Sequence, residues 1–331
     1  MRKLITFILI IVLSVGGYAS PKKSFEIKRG VNLSHWLSQR GENTPSIQDG
    51  MSATDFSRIA RAGFDHVRLP IDEEVLWQEN GQKNKEAFSY LHKGIEWALK
   101  NDLRVIVDLH IVRSHYFNAG NEGKKNSLWE KPEAQTHFLA LWQDLVQELK
   151  GYSTSDVAYE IMNEPTAPNH EDWNKLVEKA YQIIRKVEKE RVIVIGSNMW
   201  QGVDTFQYLK VPQGDEFILL SCHFYEPFLL SHYQAGWTEF GKYQGNVHYP
   251  GYLVSKDEFD SLSADDKKLV ARWRTTPWNR ETLSAFLSKA KRVADEKGLN
   301  LYCGEFGIYE KAPIESALKW YADVISVFDS L

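Results

Sequence analysis

Two carboxylates stand out because of the residues around them. In Asp156 to Pro165, DVAYEIMNEP, apolar residues run into Asn163 and Glu164, and a proline closes the stretch. In Asn300 to Gly307, NLYCGEFG, a run of the same design presents Glu305, with Gly304 and Gly307 leaving room for a ligand. Two carboxylates facing each other across a cleft suit cleavage of a glycosidic bond, which needs one proton donor and one nucleophile or base. The donor must keep its proton while its partner stays ionised, so their surroundings must differ. Other stretches of the same kind end in Arg68, His110, His223 and Tyr225. An arginine within reach keeps a carboxylate charged, and Arg68 can do so for Glu305; His and Tyr nearby can hold that carboxylate and the donor in place. Asn163 can bond a sugar 2-hydroxyl, where contacts strengthen in an oxocarbenium-like transition state. Asp108 shares a strand face with His110 one step deeper and reads as structural. Trp36, His115 and His232 are further candidates for contact with sugar. No His, Asp and Glu cluster has metal-ligand spacing, so no metal site is expected.

These residues sit at the ends of short β-rich runs: 27–34, 66–70, 104–110, 157–165, 192–198, 217–225 and 299–307. Near-continuous apolar runs of this kind suit strands buried on both faces of a parallel sheet. Helical spacing lies between them. Trp173, Leu176, Val177, Ala180, Tyr181, Ile184 and Val187 make one stripe; Phe138, Leu141, Trp142, Leu145, Val146 and Leu149 another, begun by Pro132. Leu283, Phe286, Leu287, Ala290 and Val293 make a third, and Ile314, Ala317, Leu318, Tyr321, Val324, Ile325 and Phe328 a last. This alternation predicts an α/β fold, either a closed barrel or a doubly wound sheet. Polar residues gather at the strand ends and no Gly-rich phosphate loop follows the first strand, which favours a (β/α)8 TIM-type barrel. Two long connections, 111–131 and 226–279, are rich in aromatic residues, which serve either as local cores or as sugar platforms.

A chain of 331 residues with a net charge of −4 has no electrostatic footprint for nucleic acid. Residues 1–19 have the pattern of an export signal: Arg2 and Lys3, an apolar run from Leu4 to Val15, and Gly17 and Ala19 placed for cleavage after Ala19. The mature chain, 20–331, is expected to be one exported catalytic domain, soluble, monomeric and free of the membrane, in the periplasm or outside the cell. If His223 and Glu305 both point into the barrel, strict alternation places Cys303 inward and Cys222 outward. Two free, buried thiols are therefore expected.

The set RLP, DLH, MNEP, HFYEPF and GEFG, in this order, resembles glycoside hydrolase family 5, within the clan of retaining (β/α)8 glycosidases. The resemblance spans roughly residues 26–331, and the run HFYEPFLLSHYQAGW (223–237) is similar to bacterial endo-β-1,4-glucanases of that family. It implies that Glu164 is the acid/base, Glu305 the nucleophile and Arg68 the arginine that steadies it. Asn163 then matches the residue beside the acid/base, His110 the strand-three histidine, and His223 with Tyr225 the strand-six pair. It further implies hydrolysis of β-linked glucans or mannans with retention and without a cofactor. The expected activity is that of an endo-1,4-β-glucanase. A β-mannanase or mixed-linkage glucanase on the same site is the alternative.

One part of the pattern departs. Seven strand–helix units are visible, and the last helical pattern runs nearly to Leu331. The eighth strand, and the Trp that the family carries at its end, are therefore expected to be missing from the chain. Trp320 lies within the last helix and cannot replace that Trp by position. A truncated protein that binds glycans with little catalysis is the corresponding rival.

Overall fold

The computed structural model describes residues 24–120, 123 and 125–331, so the export-signal reading of residues 1–19 lies outside the described residues. Seven parallel strands follow one another in chain order around a nearly closed barrel: β1 (Gly30–Asn32), β2 (His66–Asp72), β3 (Arg104–Ile111), β4 (Val157–Glu160), β5 (Ile193–Gly196), β6 (Ile218–Phe224) and β7 (Asn300–Phe306). Helices cover the outside, as the alternation predicted. This is the (β/α)8 TIM-type architecture with seven strands in place. β1 and β7 share no ladder among the described residues, and the Asn32 side chain donates to the Gly304 carbonyl across that opening at 3.0 Å.

Residues of alternating parity fill the barrel in layers. At the bottom Ile106, Ala158 and Val194 pack with Phe25, Ile27, Leu219 and Tyr302 into a small apolar plug. One step up, Arg68 (β2), Asp108 (β3) and Glu160 (β4) form an ionic layer, all but excluded from solvent. Residues of the opposite parity, such as Leu69, Val107 and Tyr159, join the large core between barrel and helices. A charged layer inside a barrel costs desolvation unless every partner is present, so these residues must be read as one unit.

The helix stripes hold with two exceptions. In His170–Val187 all predicted core residues are buried except Val187, which ends the helix and is exposed. In Ile314–Ser330 the buried face is Ala317, Trp320, Val324 and Val327, whereas Ile314 (69%) and Leu318 (61%) lie in solvent. The predicted stripe mixed two faces of that helix. The outer face continues beside the open edge of β7, where Phe306 meets Phe328 at 5.0 Å between ring centroids.

The two cysteines correct the alternation argument. Both are free, but Cys222 and Cys303 are register partners and both lie on the outer side of the barrel, Cys303 only partly buried. The cause is a bulge. Cys222 pairs with Cys303 while His223 pairs with Glu305, so Gly304 is an extra residue in β7. A bulge resets parity and turns Glu305 back toward the interior without bringing Cys303 with it.

Candidate active site

Glu305 is delivered by that bulge, and the bulge depends on glycine. A Cβ at Gly304 would stand 2.7 Å from Ser221 Oγ and 3.2 Å from His223 Nε2. Gly304→Ala should therefore displace the His223 ring, destabilise the fold by roughly 1–3 kcal/mol and lower turnover. Denaturant midpoints and initial rates of the purified variant test this, and unchanged values for both would refute the account.

Glu164 lies beyond its strand. The run 157–165 was expected to be extended throughout, but the β3–β4 ladder ends at Asp108 and Glu160. The Asn163 N–H then donates to the Leu109 carbonyl at 3.1 Å, and Glu164 adopts a left-handed backbone with φ of 43°. This turn swings Glu164 over the barrel mouth instead of leaving it on the strand's alternating path. Its carboxylate receives a hydrogen bond from His223 Nδ1 at 2.8 Å, and the same nitrogen lies 3.6 Å from Glu305 Oε2. One oxygen of Glu164, one of Glu305 and a ring nitrogen of His223 all fall within 4.8 Å of one another.

Arg68 organises the layer below. Its guanidinium donates to Glu305 Oε1 at 2.7 Å, Glu160 Oε2 at 2.6 Å, Asn163 Oδ1 at 2.9 Å and Asn32 Oδ1 at 3.0 Å, and it pairs with Asp108 at 2.9 Å. Burial works against its charge, but Asp108, Glu160 and Glu305 outweigh that and keep it protonated. The Tyr225 hydroxyl donates to Glu305 Oε2 at 2.8 Å, so both oxygens of Glu305 are held by donors. His110 donates through Nδ1 to Asp108 at 2.7 Å; its Nε2 is buried and, among the described residues, has no partner.

These surroundings pull the two carboxylates apart. Burial alone would raise Glu305, but His223, Arg68, His110 and the Tyr225 hydroxyl together hold it down to about 2. Burial raises Glu164, the nearby charge of Glu305 adds to the rise, and His223 only partly opposes it. Burial also opposes the charge on His223 and His110, yet the carboxylates beside them raise both. Between pH about 2 and the ordinary carboxylate value of 4.5 the site therefore favours one ionised and one protonated carboxyl group facing each other.

All seven sequence candidates, Arg68, His110, Asn163, Glu164, His223, Tyr225 and Glu305, converge on this mouth. Of the three weaker candidates, Trp36 and His115 are buried away from the mouth and His232 stands beside Tyr225. Trp36 is 1% exposed, wedged among Phe56, Tyr90 and Trp97 outside the barrel. His115 is buried beneath Trp129 and bonded to Thr166. His232 stacks on Phe228 at 3.9 Å and backs the Tyr225 ring, a supporting position. Asp108, read as structural, does hold both Arg68 and His110.

The aromatic residues of the long connections divide between buried and exposed positions. Tyr233, Tyr243, Tyr249, Trp273 and Trp278 are buried as part of the large core, while Trp237 is 48% exposed and meets His232 and Tyr309 on the Tyr225 side. On the opposite side Trp200, 47% exposed, donates its indole N–H to the Phe117 carbonyl at 3.0 Å, and Phe117 meets His110 edge-on at 5.5 Å. Sequence reasoning missed Trp200, Glu160 and Gln201. Glu160 had a signal, a carboxylate inside an apolar strand with the parity of the interior; Gln201 had none.

The comparisons agree with this geometry. The model of the cellulase family, glycosyl hydrolase family 5, matches residues 28–329. Endoglucanase C of Acetivibrio thermocellus is 31% identical over 307 residues, covering 91% of this chain and 88% of that protein. Cellodextrinase A of Ruminococcus flavefaciens is 28% identical, covering 92% and 83%. The solved structure of Thermotoga maritima Cel5A with mannotriose superposes with a TM-score of 0.71 at 27% identity, over 92% of this chain and 87% of that one. A second structure of that protein, with cellobiose, aligns equally well at a TM-score of 0.71 and 27% identity. With the barrel, the paired carboxylates and these matches in hand, the chain is a glycoside hydrolase and belongs to the cellulase family, glycosyl hydrolase family 5.

Proposed function

We propose that the protein is a retaining endo-β-1,4-glucanase, with Glu305 as nucleophile and Glu164 as acid/base. The observation that carries this reading is the approach of one Glu164 oxygen to within 4.8 Å of one Glu305 oxygen, with opposed protonation tendencies. Retaining enzymes hold the pair about 5–5.5 Å apart, whereas inverting ones leave roughly 6.5–9.5 Å for a water. The ionised Glu305 attacks the anomeric carbon while Glu164 gives its proton to the departing glycosidic oxygen. The bond to that oxygen breaks as the bond to Glu305 forms. Glu164, now a carboxylate, takes a proton from water, which adds to the anomeric carbon and releases Glu305. Arg68 and Tyr225 hold the Glu305 oxygens throughout, and the unpartnered Nε2 of His110 is free to meet a sugar hydroxyl.

Proton NMR of the first-formed reducing ends tests the stereochemistry. The β-anomer should appear first and mutarotate to the α-anomer; the reverse order would overturn the reading. The kcat/KM profile of a soluble substrate should be bell-shaped. Glu305 must be ionised, so the acid limb falls below the ordinary carboxylate value of 4.5, toward its pKa of about 2. Glu164 must be protonated, so activity is lost on the alkaline side as pH passes its raised pKa. Glu164→Gln should abolish the alkaline limb.

The choice of β-1,4-glucan rests on the likeness to Endoglucanase C. A second reading, β-mannan as substrate, is favoured by the likeness to a Cel5A structure solved with mannotriose. Reducing-sugar release from carboxymethyl cellulose, mannan, xyloglucan and mixed-linkage glucan separates the two, and highest turnover on mannan would reverse the order. The basic, apolar and small-residue pattern of residues 1–19 supports export of the mature chain. The mass of the exported protein tests it, with cleavage after Ala19 expected.

A further inference from the structure

The turn that follows β5 is strained. Met199, Trp200 and Gln201 are three consecutive non-glycine residues in the left-handed region, with φ of 59°, 58° and 53°. Such a backbone persists only where its surroundings over-determine it, and it clusters at functional sites. Here the turn sends the Trp200 indole outward and folds the Gln201 side chain back into the barrel, fully buried.

Three hydrogen-bonding groups of Gln201 serve the site. Its Oε1 accepts from the Glu164 N–H at 3.0 Å, and its Nε2 donates to Glu160 Oε1 at 3.1 Å. Its carbonyl accepts from the His223 N–H at 3.0 Å. β5 makes room for this side chain with a glycine: a Cβ at Gly196 would stand 2.3 Å from both Cγ and Nε2 of Gln201. Glu164 is itself left-handed and precedes Pro165, a position where backbone freedom is already restricted. The two turns are stapled together, because Asn198 Oδ1 accepts from the Ala167 N–H at 2.8 Å and its Nδ2 donates to the Ala167 carbonyl at 3.0 Å. An unbroken buried chain then runs from the Glu164 backbone through Gln201, Glu160 and Arg68 to Glu305.

We propose that Gln201 is a positioning residue: it fixes the left-handed turn that aims the Glu164 carboxyl at the leaving oxygen, and it ties that turn to the Glu160–Arg68 pair behind Glu305. It touches no substrate. The inference rests on the acid/base reading of Glu164 and adds to it a residue outside the cleft.

Aryl β-cellobiosides with leaving phenols of different acidity provide the test, read as kcat/KM, which reports the glycosylation step. A strongly acidic dinitrophenol departs without protonation, whereas phenol itself needs the acid. Gln201→Met should lower kcat/KM for the phenyl substrate by about tenfold to a hundredfold and leave the dinitrophenyl substrate within about threefold. Gln201→Glu, whose introduced carboxyl is protonated at acid pH and offers both an acceptor and a donor, should recover most of the phenyl activity there and lose it as pH rises. Both substrates are assayed on one preparation, so a partly folded variant still gives a valid ratio. Equal losses on the two substrates, or no loss on either, would overturn the proposal. Glu164→Gln in the same series keeps the two readings apart. Steep leaving-group dependence there with none in Gln201→Met defeats the positioning role alone, and none in Glu164→Gln defeats the acid/base reading as well.

Discussion

Glu305→Gln should reduce hydrolysis of a soluble β-glucan by on the order of 10⁴-fold or more, because it removes the proposed nucleophile. The substitution keeps the shape of the side chain, so the bonds from Arg68 and Tyr225 can re-form in part and the fold should survive. Glu164→Gln should cost about 10²–10⁴-fold on the same substrate, the usual contribution of a positioned general acid. The two losses differ in kind. In the proposed mechanism, a substrate whose leaving group departs unaided still forms the glycosyl-enzyme without Glu164, whereas none does without Glu305. Reducing-end assays of the purified variants, with circular dichroism to verify folding, decide the matter. Wild-type turnover in either variant would remove that residue from the mechanism.

The second large effect concerns Arg68. It is 1% exposed and holds Asp108, Glu160 and Glu305 at hydrogen-bonding distance. Arg68→Met fills most of the volume but leaves buried carboxylates without their cation. Breaking a buried ionic cluster from one side costs about 3–5 kcal/mol at neutral pH. The sign of the pH dependence follows from the two carboxyl groups whose pKa values are shifted. In the parent, Glu305 is held down to about 2, so it contributes stability above its unfolded value of 4.5, and that contribution fades as pH falls toward 2. Glu160 is already raised by burial despite Arg68, and removing the cation raises it further. A group raised in the folded state stabilises at low pH and ceases to do so as pH rises through its folded value. Both trends make the deficit largest at neutral pH and smaller near pH ~4. Urea midpoints of parent and variant at the two pH values test this. A deficit that grows on acidification would contradict the ionic account of the barrel interior. Activity of the variant should fall as well, with its acid limb moved upward, because Glu305 loses the cation that keeps it ionised.

Much of this site was legible in the residues themselves. Apolar runs of strand length, ending in polar residues and separated by stripes at helical spacing, identified the barrel. Pro165 after Glu164, and the glycines around Glu305, marked two carboxylates that were not ordinary surface groups. The long-loop aromatics could not be assigned by composition, since a ring in a local core and a ring on a cleft wall have the same sequence signature. Trp273 and Trp278 are buried in the core, whereas Trp237 is exposed.

Where reading by alternation failed, it failed at irregularities in the backbone. Period-two parity holds only while a ladder is regular, and the extra residue at Gly304 moved Cys303 to the outer side while turning Glu305 inward. The end of β4 at Glu160 freed Asn163 and Glu164 from the strand's alternation. On the helix Ile314–Ser330 apolar residues occupy more than one face, so periodicity alone could not say which face meets the core.

The sequence by itself determined the barrel class, the family, the order of strands and the identity of the two facing carboxylates, because these follow from local pattern and motif. Only the tertiary structure decided which charges share the interior. Glu160 lies 92 residues from Arg68, and Gln201 lies 37 from Glu164. Those partnerships are set by strand register, a bulge and left-handed turns, and a one-residue change in any of them would point the same side chains elsewhere.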